Sequence, residues 1–211
     1  MEADWEVEIG PEAPVIEALW LGFIDLRRTP ERIREIEEAQ RFPALATALV
    51  HLNRSDLGGD FSVDTVAADA LSESQVWTSK CDFWALDPAL DPWDPDELDA
   101  APTESRSALA CYIDMLGRDA SVFARLDEAE TWARATVYRL RETVCRSCRV
   151  DLVIRRAFKE DREVFGITVY TVACGADAIA AERALSGALM ALVSAIRTAR
   201  SNACRSFEAN P

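Results

Sequence analysis

The chain has 211 residues, with 49% hydrophobic and 28% charged side chains, a composition that excludes disorder as the default. Its formal net charge of −14 argues against binding to nucleic-acid phosphates, which needs clustered Lys and Arg. The acidic first residues do not form a secretory signal, and the apolar run 184–196 is shorter than the ~20 residues of a membrane-spanning helix. We therefore expect a cytoplasmic protein with reduced cysteines and no affinity for nucleic acid or membranes.

The first quarter of the chain predicts one strand followed by helices. Residues 4–9 alternate acidic and apolar side chains, as in a half-buried strand. The apolar stretch 15–26 predicts a short helix. Residues 29–41 begin with Thr-Pro-Glu, a typical helix start, and a further helix follows at 44–52. Residues 55–74 contain Gly-Gly and alternating acidic and small residues, which predict a loop.

The middle of the chain predicts a pair of strands and an amphipathic helix. Residues 75–86 and 108–116 alternate apolar and polar side chains and should form strands. Between them lies an acidic, proline-punctuated connection, 87–104. The stretch 119–145 has the apolar periodicity of a helix, and the small-residue-rich stretch 177–200 predicts the last helix.

Residues 148–175 predict a hairpin of two long strands, with the charged residues 159–162 as its turn. On the first strand, apolar and mixed side chains alternate. One face carries Val150, Leu152 and Ile154, and the other carries Asp151, Val153 and Arg155. Such a pair is normally covered by helices on one side only. The other side is then left to water, a ligand or a partner.

Together these elements predict the fold class. We expect a single α+β domain over residues 1–211, with 55–74 and 87–104 as loop-rich connections. It should contain a mainly antiparallel sheet of about five strands, with the long helices packed on one face.

The polar face of this sheet is the main candidate site. Aromatic side chains beside a few charges resemble the lining of a binding cleft. Its candidate residues, with Thr78 and Thr168 beside them, are Lys80, Asp82, Trp84, Tyr112, Asp114, Asp151, Arg155 and Tyr170. Lys80 and Arg155 could hold an anion, and Asp82 and Asp114 could act as a carboxylate pair. A ligand site, the seam of a dimer and a plain solvated surface all fit this pattern.

The sequence Cys145-Arg-Ser-Cys148 is open to three interpretations: buried thiols, a redox pair, or half of a zinc site. A second CxxC and a His pair are both missing from the sequence, so we predict no metal site. The pair follows a predicted helix, where the helix dipole opposes thiolate formation. Cys81, Cys111 and Cys148 should lie on the apolar face of the sheet.

Two further features could contribute to function. Leu90 and Trp93 are apolar anchors within the acidic connection and could dock a protein partner. His51 is the one histidine, placed near the end of a predicted helix, where a packing role is more usual than a catalytic one. The chain carries no dinucleotide or phosphate-loop fingerprint, and we expect no cofactor.

These features favour a non-catalytic protein that binds a protein partner or a small molecule through the polar sheet face, as a homodimer. The alternative is a small enzyme or a metal or thiol protein. It would use Asp82, Asp114, Lys80 and Arg155, or the Cys145/Cys148 pair.

Overall fold

The computed structural model describes residues 1–54, 75–86, 107–119, 123–145, 147–159 and 161–207, with side chains described as far as residue 197. Leu90 and Trp93 lie outside these residues. The six described strands are β1 (Glu2–Glu8), β2 (Ile16–Glu17), β3 (Val76–Leu86), β4 (Ser107–Gly117), β5 (Cys148–Lys159) and β6 (Arg162–Gly175). The helices are a 3-10 helix (Pro30–Glu35), α1 (Glu37–Arg41), α2 (Pro43–Asn53), α3 (Leu126–Glu142) and α4 (Ala178–Phe207).

The strands form one mixed sheet in the order β1-β5-β6-β4-β3, with β2 added beside β1 on the same edge of β5. The pairs β3–β4, β4–β6 and β5–β6 are antiparallel, as predicted. However, β1 and β2 run parallel to β5, so the sheet has six strands and is only mostly antiparallel. The predicted α+β class is therefore confirmed and its sheet is corrected.

The helices α2, α3 and α4 pack on one face of this sheet, here called the helix face. α4 crosses the central strands β6 and β4, while α3 covers β1 and β5 and α2 covers β3. The core between them holds apolar side chains from every layer, among them Leu49, Val137, Leu152, Val169 and Leu189. The long helices are α3 and α4; α2 has 11 residues and α1 only five.

A β-bulge changes the predicted facing of the first residues of β3. The pairing with β4 shifts between Thr78 and Lys80. An extra residue in one strand reverses the side to which the following side chains point. As a result Thr78 lies against α2, where it bonds Asn53, and Trp77 lies on the opposite face beside Leu116. The prediction that Thr78 shares a face with Lys80 is therefore wrong, as is the placement of Trp77 with the core.

Residues 15–26 do not form the predicted helix. Ile16 and Glu17 pair with β5, and the backbone N–H of Ala18 donates to Phe158 O at 3.0 Å. The Ile16 side chain is buried in a second small core on the face opposite the helices. Its partners are Trp77, Leu116, Ala157 and Val164. The second face, predicted to be left uncovered, is therefore roofed at one end by the chain itself.

The predicted helix 29–41 is two short helices separated at Ile36, whose backbone is extended. Thr29 does not cap the first of them, because its hydroxyl donates to Asp25 O instead. The hairpin turn is also shorter than predicted. Lys159 is the last residue of β5, buried, with its ammonium group donating to Gly117 O and Arg118 O at 2.7 and 2.6 Å.

Among the described residues, the segment Ala178–Arg197 of α4 is long and apolar enough to cross a membrane by length and composition alone. The sequence analysis counted only the shorter run between Arg183 and Arg197. In the fold, the apolar stripe of this helix packs on β6 and β4. A core helix of a soluble protein meets the same criterion, so the match is weak evidence for membrane insertion.

Candidate functional site

The second face of the sheet, opposite the helices, collects all eight candidate side chains into neighbouring cross-strand rows. In one row, Lys80 pairs with Asp114 and Asp114 with Thr168. The next row runs Asp82, Tyr112, Tyr170 and Asp151 across four strands. Residues paired across strands on one face have side chains close enough to interact. The period-two alternation in β4, β5 and β6 thus predicts this face correctly.

A cavity of about 360 Å³ lies between this face and the covering residues 14–20, and we call it the roofed cavity. Six of the residues named in the sequence analysis line it: Lys80, Tyr112, Asp114, Arg155, Thr168 and Tyr170. The roof and the adjacent edge add Pro14, Val15, Ile16, Glu17, Trp20 and Ser79. Polar groups and apolar surface therefore meet in one partly open space, as in binding sites for small molecules.

Arg155 is the most buried charged side chain in this cavity, with 5% of its surface exposed. Its Nη2 atom lies 2.9 Å from Glu8 Oε2 and donates to the Tyr170 hydroxyl at 3.3 Å. Its Nε and Nη1 atoms are buried and have no hydrogen-bond partner among the described residues. Gly166 lies opposite Arg155 on β6. A side chain there would meet Ile16 Cδ1 at 2.8 Å, so glycine allows the roof to approach.

Asp114 is the more buried of the two acidic residues that line the same cavity, and Glu17 at its edge is exposed. Its Oδ1 atom accepts a hydrogen bond from Thr168 Oγ1 at 2.7 Å. Burial raises the pKa of this carboxyl, although the Thr168 bond and the charges of Arg155 and Lys80 oppose the rise. Burial, with the nearby Asp114 and Asp82 charges, also raises the pKa of Tyr112. Both groups therefore favour their protonated forms more than they would in water.

A second hollow of about 230 Å³ adjoins the roofed cavity and shares Arg155 and Tyr170 with it. Asp151 lies here, and its carboxylate accepts from Arg149 Nε at 2.9 Å. Burial raises the pKa of Asp151 despite that bond. Asp151 is thus separated from the roofed cavity, with Arg155 and Tyr170 between the two spaces.

Two candidates do not line either space. Asp82 Oδ1 accepts from the backbone N–H of Phe83 at 2.6 Å. The predicted carboxylate pair is therefore not assembled in the roofed cavity, which contains Asp114 without Asp82. Trp84 instead forms a row of three aromatic rings with Tyr112 and Tyr170. The ring centroids of Trp84 and Tyr112 are 6.2 Å apart, and those of Tyr112 and Tyr170 are also 6.2 Å apart.

The cysteines named in the sequence analysis are found in two settings, and Cys148 belongs to both. Cys111 and Cys148 lie in the core on the helix face and Cys81 packs against it, as predicted. Burial raises the pKa of Cys111 to about 12. The pair Cys145 and Cys148 lies outside the roofed cavity, with its two Sγ atoms 2.6 Å apart. No group of three or more His, Cys, Asp or Glu side chains suited to a metal ion occurs in the described parts of the chain.

His51 lies in α2 and contacts α4. Its Nδ1 atom is 3.2 Å from Nη2 of Arg197. Burial and the neighbouring Arg197 charge lower its pKa, so the neutral imidazole is favoured. This contact agrees with the packing role predicted for the one histidine.

The sequence analysis missed the roof and one ion-pair partner. Trp20 closes the roofed cavity, its indole Nε1–H donating to Ser79 O. Glu8 reaches Arg155 because β1 pairs in parallel with β5, which sets the two residues side by side. Alternating acids in residues 4–9 indicated a strand, but the sequence carries no signal for which strand it joins.

Comparison of the chain with models of protein families, with curated proteins and with solved structures found no match. The functional argument therefore rests on the geometry of the site.

Proposed function

We propose that this protein binds a small anionic ligand with an apolar or aromatic body in the roofed cavity, and that it does so without catalysis. The observation that carries the proposal is Arg155, a nearly buried guanidinium group that lines the cavity and whose Nε and Nη1 atoms have no hydrogen-bond partner in the described structure. A buried donor without a partner costs about 1–3 kcal/mol, and more for a charged group. A ligand oxygen would offset that cost.

The charge around Arg155 supports an anion as the ligand. Glu8 partly neutralises the guanidinium group from one side, but this carboxylate is about half exposed. Lys80 lines the same cavity and adds a second positive charge, which the exposed Glu17 at the edge of the cavity partly offsets. Because burial raises the pKa of Asp114, this carboxyl opposes an incoming anion less than a solvent-exposed carboxylate in the same place would. Hydrogen bonds between guanidinium and carboxylate or phosphate are among the stronger ones in proteins.

The remaining lining supports an apolar or aromatic body. Val15, Ile16 and Trp20 form the roof, and Tyr112 and Tyr170 form much of the floor. A volume of about 360 Å³ is at the small end of the range of roughly 300–1,000 Å³ found for ligand pockets. The site therefore fits a molecule of one ring with one acidic group better than a nucleotide.

A thermal-shift titration with simple probes tests this proposal. Benzoate and phenyl phosphate carry a ring and an anion, and benzamide is a neutral counterpart of benzoate. At about 100 times its Kd a ligand adds about 2.7 kcal/mol, which for this chain length corresponds to a rise in midpoint of roughly 5–10 °C. We expect an anionic probe to raise the midpoint and benzamide to leave it unchanged.

Two substitutions on β5 test whether the rise in midpoint depends on Arg155. Arg155→Gln should abolish the shift. Arg156→Gln is the matched control, because the neighbouring residue points to the opposite face and pairs with Glu163. The proposal would be ruled out if an anionic probe raised the unfolding midpoint equally in both variants. It would also be ruled out if, at millimolar concentration, no anionic probe raised the midpoint of the wild type more than benzamide does.

Two wider expectations remain parts of this proposal: a homodimer and a cytoplasmic location. Native mass spectrometry of the purified chain reports the subunit number and any retained small molecule together. A monomer would remove the dimer from the proposal and leave the ligand site unaffected.

A small enzyme is the second candidate, and the raised pKa of Asp114 inside the roofed cavity favours it. A raised pKa makes a carboxyl group better suited to act as a general acid than an ordinary carboxyl is. Chemical conversion of a bound molecule, lost in Asp114→Asn while binding persists, would identify an enzyme. Unchanged recovery of the bound molecule would favour the binding protein.

A further inference from the structure

The pair Cys145 and Cys148 is a second cluster of reactive side chains, independent of the roofed cavity. Cys148 is the first residue of β5 and is 2% exposed, while Cys145 is partly exposed in the connection after α3. Their Sγ atoms are 2.6 Å apart, and the Cys148 thiol also reaches Ala184 O at 3.5 Å. Cys145 is therefore partly accessible to solvent, and Cys148 lies directly behind it.

Ser147, which directly precedes Cys148, is held in a rare backbone conformation. It has a φ of 63°, in the left-handed region that non-glycine residues rarely adopt. It is buried, and its carbonyl accepts from the backbone N–H of Cys174 at 2.9 Å. The strand β6 thus anchors the residue next to Cys148, whose Sγ atom already lies within contact of Cys145 Sγ.

We propose that Cys145 and Cys148 form a thiol–disulfide exchange site whose substrate is a small-molecule disulfide of the glutathione disulfide type. The thiolate of Cys145 attacks one sulfur of the substrate, which forms a mixed disulfide and releases one thiolate. Cys148 then loses its proton and attacks Cys145 Sγ, which releases the second thiolate. Overall, two protein thiols are oxidised to a disulfide, and the substrate disulfide is reduced to two thiols that take up the two protons.

The order of attack follows from exposure and electrostatics. The hydrogen bond from Cys148 lowers the pKa of Cys145 from 9.0 to about 7, against the effect of burial. The same bond, together with burial, raises the pKa of Cys148. Cys145 is thus the accessible thiolate and Cys148 the resolving thiol.

Peptide mass mapping after incubation with glutathione disulfide at pH 7 tests the proposal. In the wild type we expect a disulfide between Cys145 and Cys148 and no lasting glutathionyl group. In Cys148→Ser, and equally in the less polar variant Cys148→Ala, Cys145 should retain the glutathionyl group. Cys145→Ser should show neither product, while Cys81→Ser, which changes a packed thiol elsewhere, should behave as the wild type.

The alkylation rate of the wild type is an independent measurement that needs no folded variant. Because the contact with Cys148 lowers the pKa of Cys145, this thiol carries more thiolate at pH 7 than an ordinary cysteine does. Cys145 should therefore react with iodoacetamide faster at pH 7 than Cys81, and the midpoint of its pH–rate profile should lie below the ordinary cysteine value of about 8.5. A wild type that stays a dithiol, or that keeps a stable glutathionyl group on Cys145, would overturn the proposal.

Discussion

Arg155 combines deep burial with incomplete hydrogen bonding, which is costly for the free protein. A structural arginine usually has its donors satisfied, because an unpaired buried charge is strongly unfavourable. Here Nη2 is bonded, and Nε and Nη1 have no acceptor in the described part of the chain. Such a cost is expected where a side chain serves a ligand at the expense of stability.

This view predicts that replacing Arg155 does not weaken the fold. In Arg155→Met, which keeps an unbranched side chain, the free energy of unfolding in ligand-free buffer should stay unchanged or rise by about 1 kcal/mol. Chemical denaturation followed by circular dichroism measures it.

Lys159→Met provides the contrast on the same strand. Its ammonium group donates to the carbonyl oxygens of Gly117 and Arg118, which the substitution leaves without this donor. We expect the free energy of unfolding of Lys159→Met to fall by about 1–3 kcal/mol. A comparable loss in Arg155→Met would mean that Arg155 is structural.

At the level of elements, Asn53 connects α2 to β3 and so fixes the bulged end of that strand. Its side-chain amide donates to Leu49 O and Thr78 Oγ1, both at 2.7 Å. Its Oδ1 accepts from the backbone N–H of Thr78 at 3.2 Å. The bulge turns Thr78 toward this amide and leaves Lys80 on the second face. The link therefore positions one wall of the roofed cavity.

Removing this link should destabilise the protein. Asn53→Ala deletes three hydrogen bonds and leaves buried groups of Thr78 without these partners. We therefore expect the free energy of unfolding, measured by urea denaturation, to fall by about 2–4 kcal/mol. Thr47→Ala is the control on the same helix, since its hydroxyl bonds Pro43 O at an exposed position and should cost less than ~0.5 kcal/mol. A similar cost for both variants would contradict the proposed role of Asn53.

The elements also show what the sequence could predict. Strands β4, β5 and β6 alternate regularly, so the facing of Asp114, Arg155 and Tyr170 follows from period two alone. The bulge in β3 is accompanied by contacts between Thr78 and Asn53, 25 residues apart, and the local sequence does not reveal it; period two therefore predicts the wrong faces for Thr78 and Trp77. The stretch 15–26 has apolar positions that also suit a short helix, and the second core that Ile16 fills exists only once this stretch pairs with β5.

At the scale of the whole molecule, the chain carries a net charge of −14, whereas the roofed cavity is lined by Arg155 and Lys80 together with Glu17 and Asp114. The overall field repels anions, so weak binding at random surface positions is disfavoured. This long-range repulsion is screened over about 10 Å at 0.1 M salt, whereas the contact with a buried guanidinium group is screened much less. An anion that binds at physiological salt should therefore be found at Arg155.

The most direct measurement is an NMR titration that follows the Nε–Hε resonance of Arg155, assigned by its absence in Arg155→Gln. On addition of benzoate or phenyl phosphate, we expect this resonance to shift and saturate, because the ligand oxygen becomes the missing acceptor. Benzamide should leave it in place. An Arg155 resonance that stays unchanged while these anions reach millimolar concentration would contradict the anion-binding account.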